Sequence, residues 1–334
     1  MTESITNKPH SEASRDHAID TAKGILILMV VYAHCFTDGI LHDFFFSFHM
    51  PAFFVLSGIT ASLSGEMNKP TKQVLLRMLV RIGVPFLFFE FLGAVQFFIR
   101  FGFKQNLFGL LFNALIMQCN NIVDWFLYAL FFAKLLNRFL LFLCTKAFHQ
   151  KAADYVYLAI SLILLVVAVV IPMPKNDFLG ILRTTLISHA FLASGYVLAS
   201  FYQKKRTVWG LVSLVLALAL SLWNMDCPDI YELRFGYPAV FLCAAFLGSY
   251  GVLQISERWS CKVLRWLGYN SIIIMGTHIP ILLIARFISH TVAPTLWIRI
   301  ADFFIIFSLE IPIVYLIRKK APFLIGKRKE SVLF

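Results

Sequence analysis

Seven titratable side chains fall inside long apolar runs of this sequence: His34, His49, Arg81, Glu90, His189, His278 and Glu310. Charge is costly in an apolar surrounding, so each marks a place where chemistry or a compensating partner is expected. Imidazole is the side chain that takes up and returns a proton near neutrality, so the histidines come first. His34 sits roughly 9 Å from the end of the first apolar run at the rise of an α-helix. His49, entering the next run from the same side, sits about 7–8 Å in by the same rise. Two imidazoles on consecutive antiparallel helices therefore lie at nearly one depth, within reach of a substrate arriving from that side. Lys23 precedes His34 by eleven residues, close to three full turns, so a cation and a candidate base share one helix face. Asp38, four residues beyond His34, lies on that side too and is expected to orient the ring and set its tautomer. A single buried histidine is ordinarily a hydrogen-bonded core residue; the coincident depth of the pair is what points to proton transfer.

These residues must be positioned by helices in lipid. Of 334 residues, 59% are hydrophobic and 14% charged, and the mean hydropathy is +0.77. Soluble domains carry about 25% charged residues, so this chain cannot cover a water-facing surface. The expected fold class is all-α, a polytopic transmembrane helix bundle. Apolar runs of spanning length lie at about 22–40, 44–63, 78–100, 123–145, 153–171, 180–201, 207–223, 236–255, 266–288 and 296–317. The shorter apolar stretch 107–118 reads as an interfacial or re-entrant piece on the outer side. Polar residues between about 101 and 122, among them Lys104, Asn106 and Asn120, are candidates to line an acceptor site or to form an ordinary interfacial loop.

Alternating the connections places roughly three-quarters of the assignable Lys and Arg on one side, as the positive-inside rule requires. That pattern predicts ten helices with both termini in the cytoplasm. It also accounts for the net charge of +12 as topology signals in short clusters, which argues against a nucleic-acid partner. The polar start lacks the form of a signal sequence, and the first apolar run reads as a retained helix. The expected division is a cytoplasmic tail over 1–18, a transmembrane domain over 19–317 and a basic cytoplasmic tail over 318–334. The six cysteines show neither CxxC nor ligand spacing, so they suggest no disulfide framework and no metal site, and read as inert core thiols. Glu90 and Glu310 are expected to pair with Arg81 or another helix to satisfy burial. His278 is placed near the midplane, beside a donor arm or as a structural hydrogen-bonding residue.

Four motifs then resemble one family. Ile19-Asp20-Thr21-Ala22-Lys23-Gly24-Ile25 followed by Val30-Val31-Tyr32-Ala33-His34 is similar to the first helix of the membrane acyltransferase 3 family, and more narrowly of its fucose 4-O-acetylase-like branch. Phe48-His49-Met50-Pro51-Ala52-Phe53-Phe54-Val55-Leu56-Ser57-Gly58 resembles its second helix, with Ala52 in place of a larger residue. Asp124-Trp125-Phe126-Leu127 resembles the start of a middle helix, and Leu267-Gly268-Tyr269-Asn270-Ser271 with His278 a late one. In many members the position of Lys23 is Arg. The motifs occur in the family's order across most of the chain, whereas the fifth to eighth runs are only generically apolar.

The resemblance implies an O-acyltransferase of the cell membrane, in a bacterium the cytoplasmic membrane. It would move an acyl group, usually acetyl from acetyl-CoA, to a hydroxyl of a cell-surface or lipid-linked glycan. The carried-over residues are Lys23, His34, His49 and His278. The appended outer hydrolase-like domain of some members is not expected in this chain. Joined to the topology, this makes His34 the general base, with His49 orienting the acceptor or stabilising the oxyanion. An acyl-imidazole on His34 is the competing route. Lys23, Lys72, Arg77 and Arg81, with His278, are the candidate contacts to acyl-CoA at the inner mouth, the cations through its phosphates. A multi-pass exporter of a glycan or small acid is the alternative function, but the inverted repeats and paired broken helices that mark many transporters are not evident.

Overall fold

The computed structural model describes residues 17–101, 109, 119, 121–171, 178–202, 204, 206–224, 226–256, 258–288 and 294–327. The expected stretch 107–118, most of the polar 101–122 segment and both chain ends lie outside them. The helices are α1 (His17–Cys35), α2 (Ile40–Phe46), α3 (His49–Leu63), α4 (Thr71–Met78), α5 (Val84–Phe101), α6 (Trp125–Ala147) and α7 (Gln150–Val170). They continue with α8 (Phe178–Val197), α9 (Ala199–Tyr202), α10 (Thr207–Trp223), α11 (Pro238–Ile255), α12 (Lys262–Tyr269), α13 (Ser271–Ile288) and α14 (Leu296–Lys320). Among the described residues there is no strand, only an isolated bridge between Asp229 and Arg234. The all-α expectation holds.

Among the described residues, eight helical stretches are long and apolar enough to cross a membrane, by length and composition. The ten predicted runs all fold as helices, but two fall outside those eight. α8 carries Arg183, His189 and several hydroxyl residues, which dilute its apolarity. α10 is apolar but only 17 residues long. Large apolar side chains face outward on α7 (Ile163, Val166, Val170), α10 (Val208, Val215, Leu222) and α14 (Phe304, Ile311, Leu316). Water would not tolerate such a belt at this density, and lipid does. The chain is a multi-pass membrane protein.

α1 occupies the middle of the bundle. Leu26, Ile27, Val30 and Val31 are sealed on successive sides of it, so the helix is apolar all round rather than amphipathic. It crosses α12 where two glycines remove the side chains between backbones. A Cβ on Gly24 would meet the Leu264 carbonyl, and one on Gly268 the Asp20 carbonyl. α3 crosses α8 in the same way, with Gly58 against Leu192 and Gly195 against Val55. Lipid tails are as apolar as leucine, so helices associate in a bilayer by such close packing rather than by hydrophobic exclusion.

Three prolines shape the interior. Pro85 follows a π-helical turn over Leu79–Gly83 that joins α4 to α5. Its ring presses on the carbonyl four residues back, that of Arg81, and the wider turn relieves the clash. Pro280 and Pro312 lie within α13 and α14. Pro280 leaves the Gly276 carbonyl without its helical donor, and the Asn121 side chain donates to it instead at 2.8 Å. The Pro280 carbonyl in turn accepts from Gln96 at 3.3 Å.

The start of the basic tail is not loose. Arg318 stacks on Tyr269 at 3.7 Å and bonds to Asn270 and to the Tyr269 carbonyl. Pro322–Ile325 forms a short turn with Ile325 buried, and Gly326 abuts the Val80 backbone. The packed fold thus continues past 317.

The α3–α8 crossing carries a direct test. Gly58→Leu or Gly195→Leu forces the two backbones apart, an overpacking cost of about 1–3 kcal/mol or more. We expect a lower thermal midpoint for the protein in detergent micelles. Gly83→Ala, where nothing stands within 4 Å, is the matched control and should leave the midpoint unchanged.

Candidate active site

Two cavities lie end to end inside the bundle. The first, about 60 Å³, is lined by His34, His49, Phe46, Trp125, Asp229 and Tyr231, with Met275 at its floor. The second, about 230 Å³, is lined by Lys23, Ser57, Glu66, Arg81 and Lys134, again with Met275. Lys23, in the second turn of α1, lines the second cavity, and His34, in its last turn, the first. A single thioether side chain stands on the wall common to both.

His49 opens α3 one residue after Phe48, whose ring is buried against Gly248. Its Nδ1 lies 2.5 Å from the carbonyl of Phe45, in the last turn of α2. A carbonyl can only accept, so Nδ1 carries the hydrogen and Nε2 is the free lone pair of the neutral ring. His34, half-buried in the last turn of α1, packs edge-on to Phe46 at 6.4 Å, and Phe46 packs on His49 at 5.1 Å. The two imidazoles share a cavity wall with a phenyl ring between them.

His278 stands in a different place from the one expected. Its ring lies 5.2 Å from that of His34, and it lines neither cavity. The Nδ1–H donates to the Ile274 carbonyl at 2.8 Å, and Nε2 is buried with no partner among the described residues. It is therefore a neighbour of the candidate base and not a contact for an inner donor.

Asp38 also lies elsewhere. α1 ends at Cys35, and the Asp38 carboxylate, 72% exposed, accepts from Arg299 of α14 at 2.9 Å. Its side chain ties two helix ends together and makes no hydrogen bond with His34 among the described residues. Of the four expected inner cations, Lys23 and Arg81 reach the second cavity. Lys72 is exposed on α4 and Arg77 half-buried there, and neither lines it. Glu90 faces Asp124 rather than Arg81, and Glu310 accepts from Thr277 at 2.6 Å. His189 is a buried structural residue bonded to Ser161 at 3.0 Å.

Sequence reasoning passed over three contributors. Lys134 lies in the middle of an apolar helix, where a basic residue is a functional signal by default; it pairs with Glu66 at 3.1 Å across the mouth of the second cavity. Arg138, one turn on, holds the turn after α3 through the Glu66 and Lys69 carbonyls. The 224–237 loop delivers Asp229 and Tyr231 to the first cavity, with Tyr231 stacked on Trp125 at 5.9 Å. Burial pushes the Asp229 carboxyl above its ordinary range, although the amides of Tyr231 and Glu232 donate to it. No apolar period marks that loop, which is why it escaped notice.

Taken together, one cavity offers two imidazoles, and the other Lys23, Arg81 and Lys134 beside Glu66. The family model for the acyltransferase domain matches residues 16–319. The chain matches no curated protein and no solved structure. The match runs from the first turn before Lys23 to the last helix and takes in both cavities, so the chain belongs to the acyltransferase 3 family.

Proposed function

We propose that this membrane acyltransferase is an O-acetyltransferase, of the fucose 4-O-acetylase-like kind, that takes acetyl from cytoplasmic acetyl-CoA. The acceptor is a hydroxyl of a cell-surface or lipid-linked glycan. The observation that carries this reading is the meeting of the two cavities at Met275, with Lys23 and Arg81 in one and His34 and His49 in the other. In this reading ten helices cross a bacterial cytoplasmic membrane with both termini inside, which puts the cationic cavity on the cytoplasmic side.

Acetyl-CoA is polyanionic at one end and has a long, thin arm at the other. Lys23 and Arg81 hold phosphate oxygens at the inner mouth, where charge-assisted bonds are strongest. The arm runs past Met275 to bring the thioester beside His34. There the acceptor hydroxyl attacks the thioester carbonyl as His34 takes its proton. A C–O bond forms, the C–S bond breaks, and the proton leaves with the CoA thiol. His49, with Nε2 facing the same space, orients the acceptor or, once protonated, donates to the oxyanion. His278 acts through His34, whose ring it neighbours at 5.2 Å, by holding that ring in place beside the cavity.

Three variants, compared at equal membrane abundance, separate these roles. His34→Ala is expected to lower kcat by about 10²–10⁴, the usual size of lost general-base catalysis. Undiminished transfer would remove His34 from the mechanism, and a hydroxylamine-labile acyl group trapped on the wild-type protein would favour the covalent route. Arg81→Gln should raise KM for acetyl-CoA by about tenfold, the size of one lost charged hydrogen bond, with little change in kcat. Met275→Trp should cut transfer at least about tenfold while acetyl-CoA still binds, because only the passage between the cavities is filled.

A further inference from the structure

At the rim of the histidine cavity, three metal-ligating side chains converge from two distant parts of the chain. His42 and Asp43 lie on α2, and Cys227 comes from the loop that joins α10 to α11. One ligand atom from each lies within 4.8 Å of the others. The Cys227 Sγ stands 3.7 Å from the His42 Nδ1, which stands 2.9 Å from the Asp43 carboxylate. All three residues are half-buried, and the Asp43 side chain is 44% exposed, so the cluster opens to solvent.

These distances suit one ion class. With zinc–sulfur and zinc–nitrogen bonds of about 2.3 and 2.0 Å, a tetrahedral ion holds S and N about 3.5 Å apart. The S–N separation of 3.7 Å is that edge within about 0.2 Å. Against His42 the carboxylate, now at 2.9 Å, opens by a few tenths of an ångström to reach a tetrahedral edge, exchanging its hydrogen bond for a metal bond. Thiolate, imidazole and carboxylate together favour a borderline ion over magnesium or calcium, which demand an oxygen shell. Charge closes as well: a dication meets one thiolate, one carboxylate and one neutral imidazole.

The two elements so joined are both part of the histidine cavity. α2 supplies Phe46 to its wall and the Phe45 carbonyl to His49. The loop supplies Asp229, Ile230 and Tyr231. It is a built structure: Asp229 and Arg234 pair their backbones, and the Asn224 side chain bonds both Tyr237 and Phe235. Leu233 adopts a left-handed φ of 54° within it, a conformation that a bulky side chain holds only when its surroundings enforce it.

We propose that His42, Asp43 and Cys227 form a binding site for a divalent ion of the zinc class, which clasps the 224–237 loop to α2 over the histidine cavity. On binding, the Cys227 thiol releases its proton to solvent, and the His42 hydrogen moves from Nδ1 to Nε2 so that Nδ1 takes the metal. The fourth position is left to water, as in open three-ligand sites. The cysteine arithmetic of the sequence missed this site because its ligands are 185 residues apart and follow no motif. It also took all six thiols as core residues, whereas Cys243 and Cys261 are exposed and Cys227 half-buried.

The test uses the full-length protein in detergent micelles, stripped with chelator and titrated with Zn²⁺ alone. Bound metal after desalting should be one equivalent higher in the wild type than in Cys227→Ser or His42→Ala. Asp43→Asn should weaken binding by at least about tenfold, one ligand's worth of affinity. Substitution with Co²⁺ should give a thiolate-to-cobalt absorption band that Cys227→Ser abolishes. Equal zinc content in the wild type and both variants would overturn the proposal. A second measurement needs no variant: Zn²⁺ should slow maleimide labelling of Cys227, read by peptide mass, while exposed Cys243 and Cys261 label at their former rates. Unchanged labelling of Cys227 would overturn it equally, and Mg²⁺ should give no protection.

Discussion

The Gly276 carbonyl is the point on which the interior of this bundle turns. Pro280 deprives it of its helical hydrogen bond, and in a bilayer no water can replace the missing donor. Asn121 provides one from a segment 155 residues away. That single bond pins the short turn Ile122–Asp124 to α13, and the turn puts Val123 and Trp125 on the wall of the histidine cavity. Met275 and His278 flank the same carbonyl on α13. Its neighbour on the other side is Phe89, which packs where a Cβ of Gly276 would stand. One backbone group deprived of its helical donor thus links the cavity wall, the shared residue Met275 and the neighbour of His34.

The family motifs take on physical meaning from this arrangement. Gly24 and Gly268 are in them because α1 and α12 touch backbone to backbone, leaving no room for a Cβ. Asn270 is there because its side chain bonds both the Trp266 carbonyl and Arg318, closing the corner between α12 and α13. Phe48 is there as a wedge against Gly248, and it sets the first turn of α3 so that His49 meets α2. Among the quoted motif residues, Lys23, His34, His49, Ser57, Trp125 and Ser271 line a cavity with a group that can donate, accept or pair. Most of each motif is scaffold, and the chemistry rides on a few positions of it.

What could be read from the sequence follows the range of the interaction. Hydropathy and length located helices at all ten runs, eight of them of spanning length and apolarity among the described residues. That His34 and His49 line one cavity agrees with their positions counted from nearby helix ends along a fixed rise. Contacts between distant helices were not. The pairing of Asp38 with Arg299 spans 261 residues, and that of Lys134 with Glu66 spans 68. His278 was counted correctly along its own helix, but its approach to His34 depends on how α13 crosses α1. The 224–237 loop carries no periodic signal at all, although it roofs the cavity.

A partition made by one methionine has a consequence for how a reaction could pass through the bundle. Opening a route by separating helices would break the close α1–α12 and α3–α8 crossings and expose backbone to lipid. A methionine instead has three rotatable bonds and no branch, so it can change rotamer at little cost while its neighbours stay fixed. Both cavities already exist on either side of it, and neither needs to be created. In the proposed reading a narrow acyl arm would pass at the wall that carries Met275 with the helices at rest, and the phosphate-bearing end of a donor would lie with Lys23 and Arg81. The glycine crossings argue for a fixed frame, and Met275, common to both cavity linings, marks where a route would open.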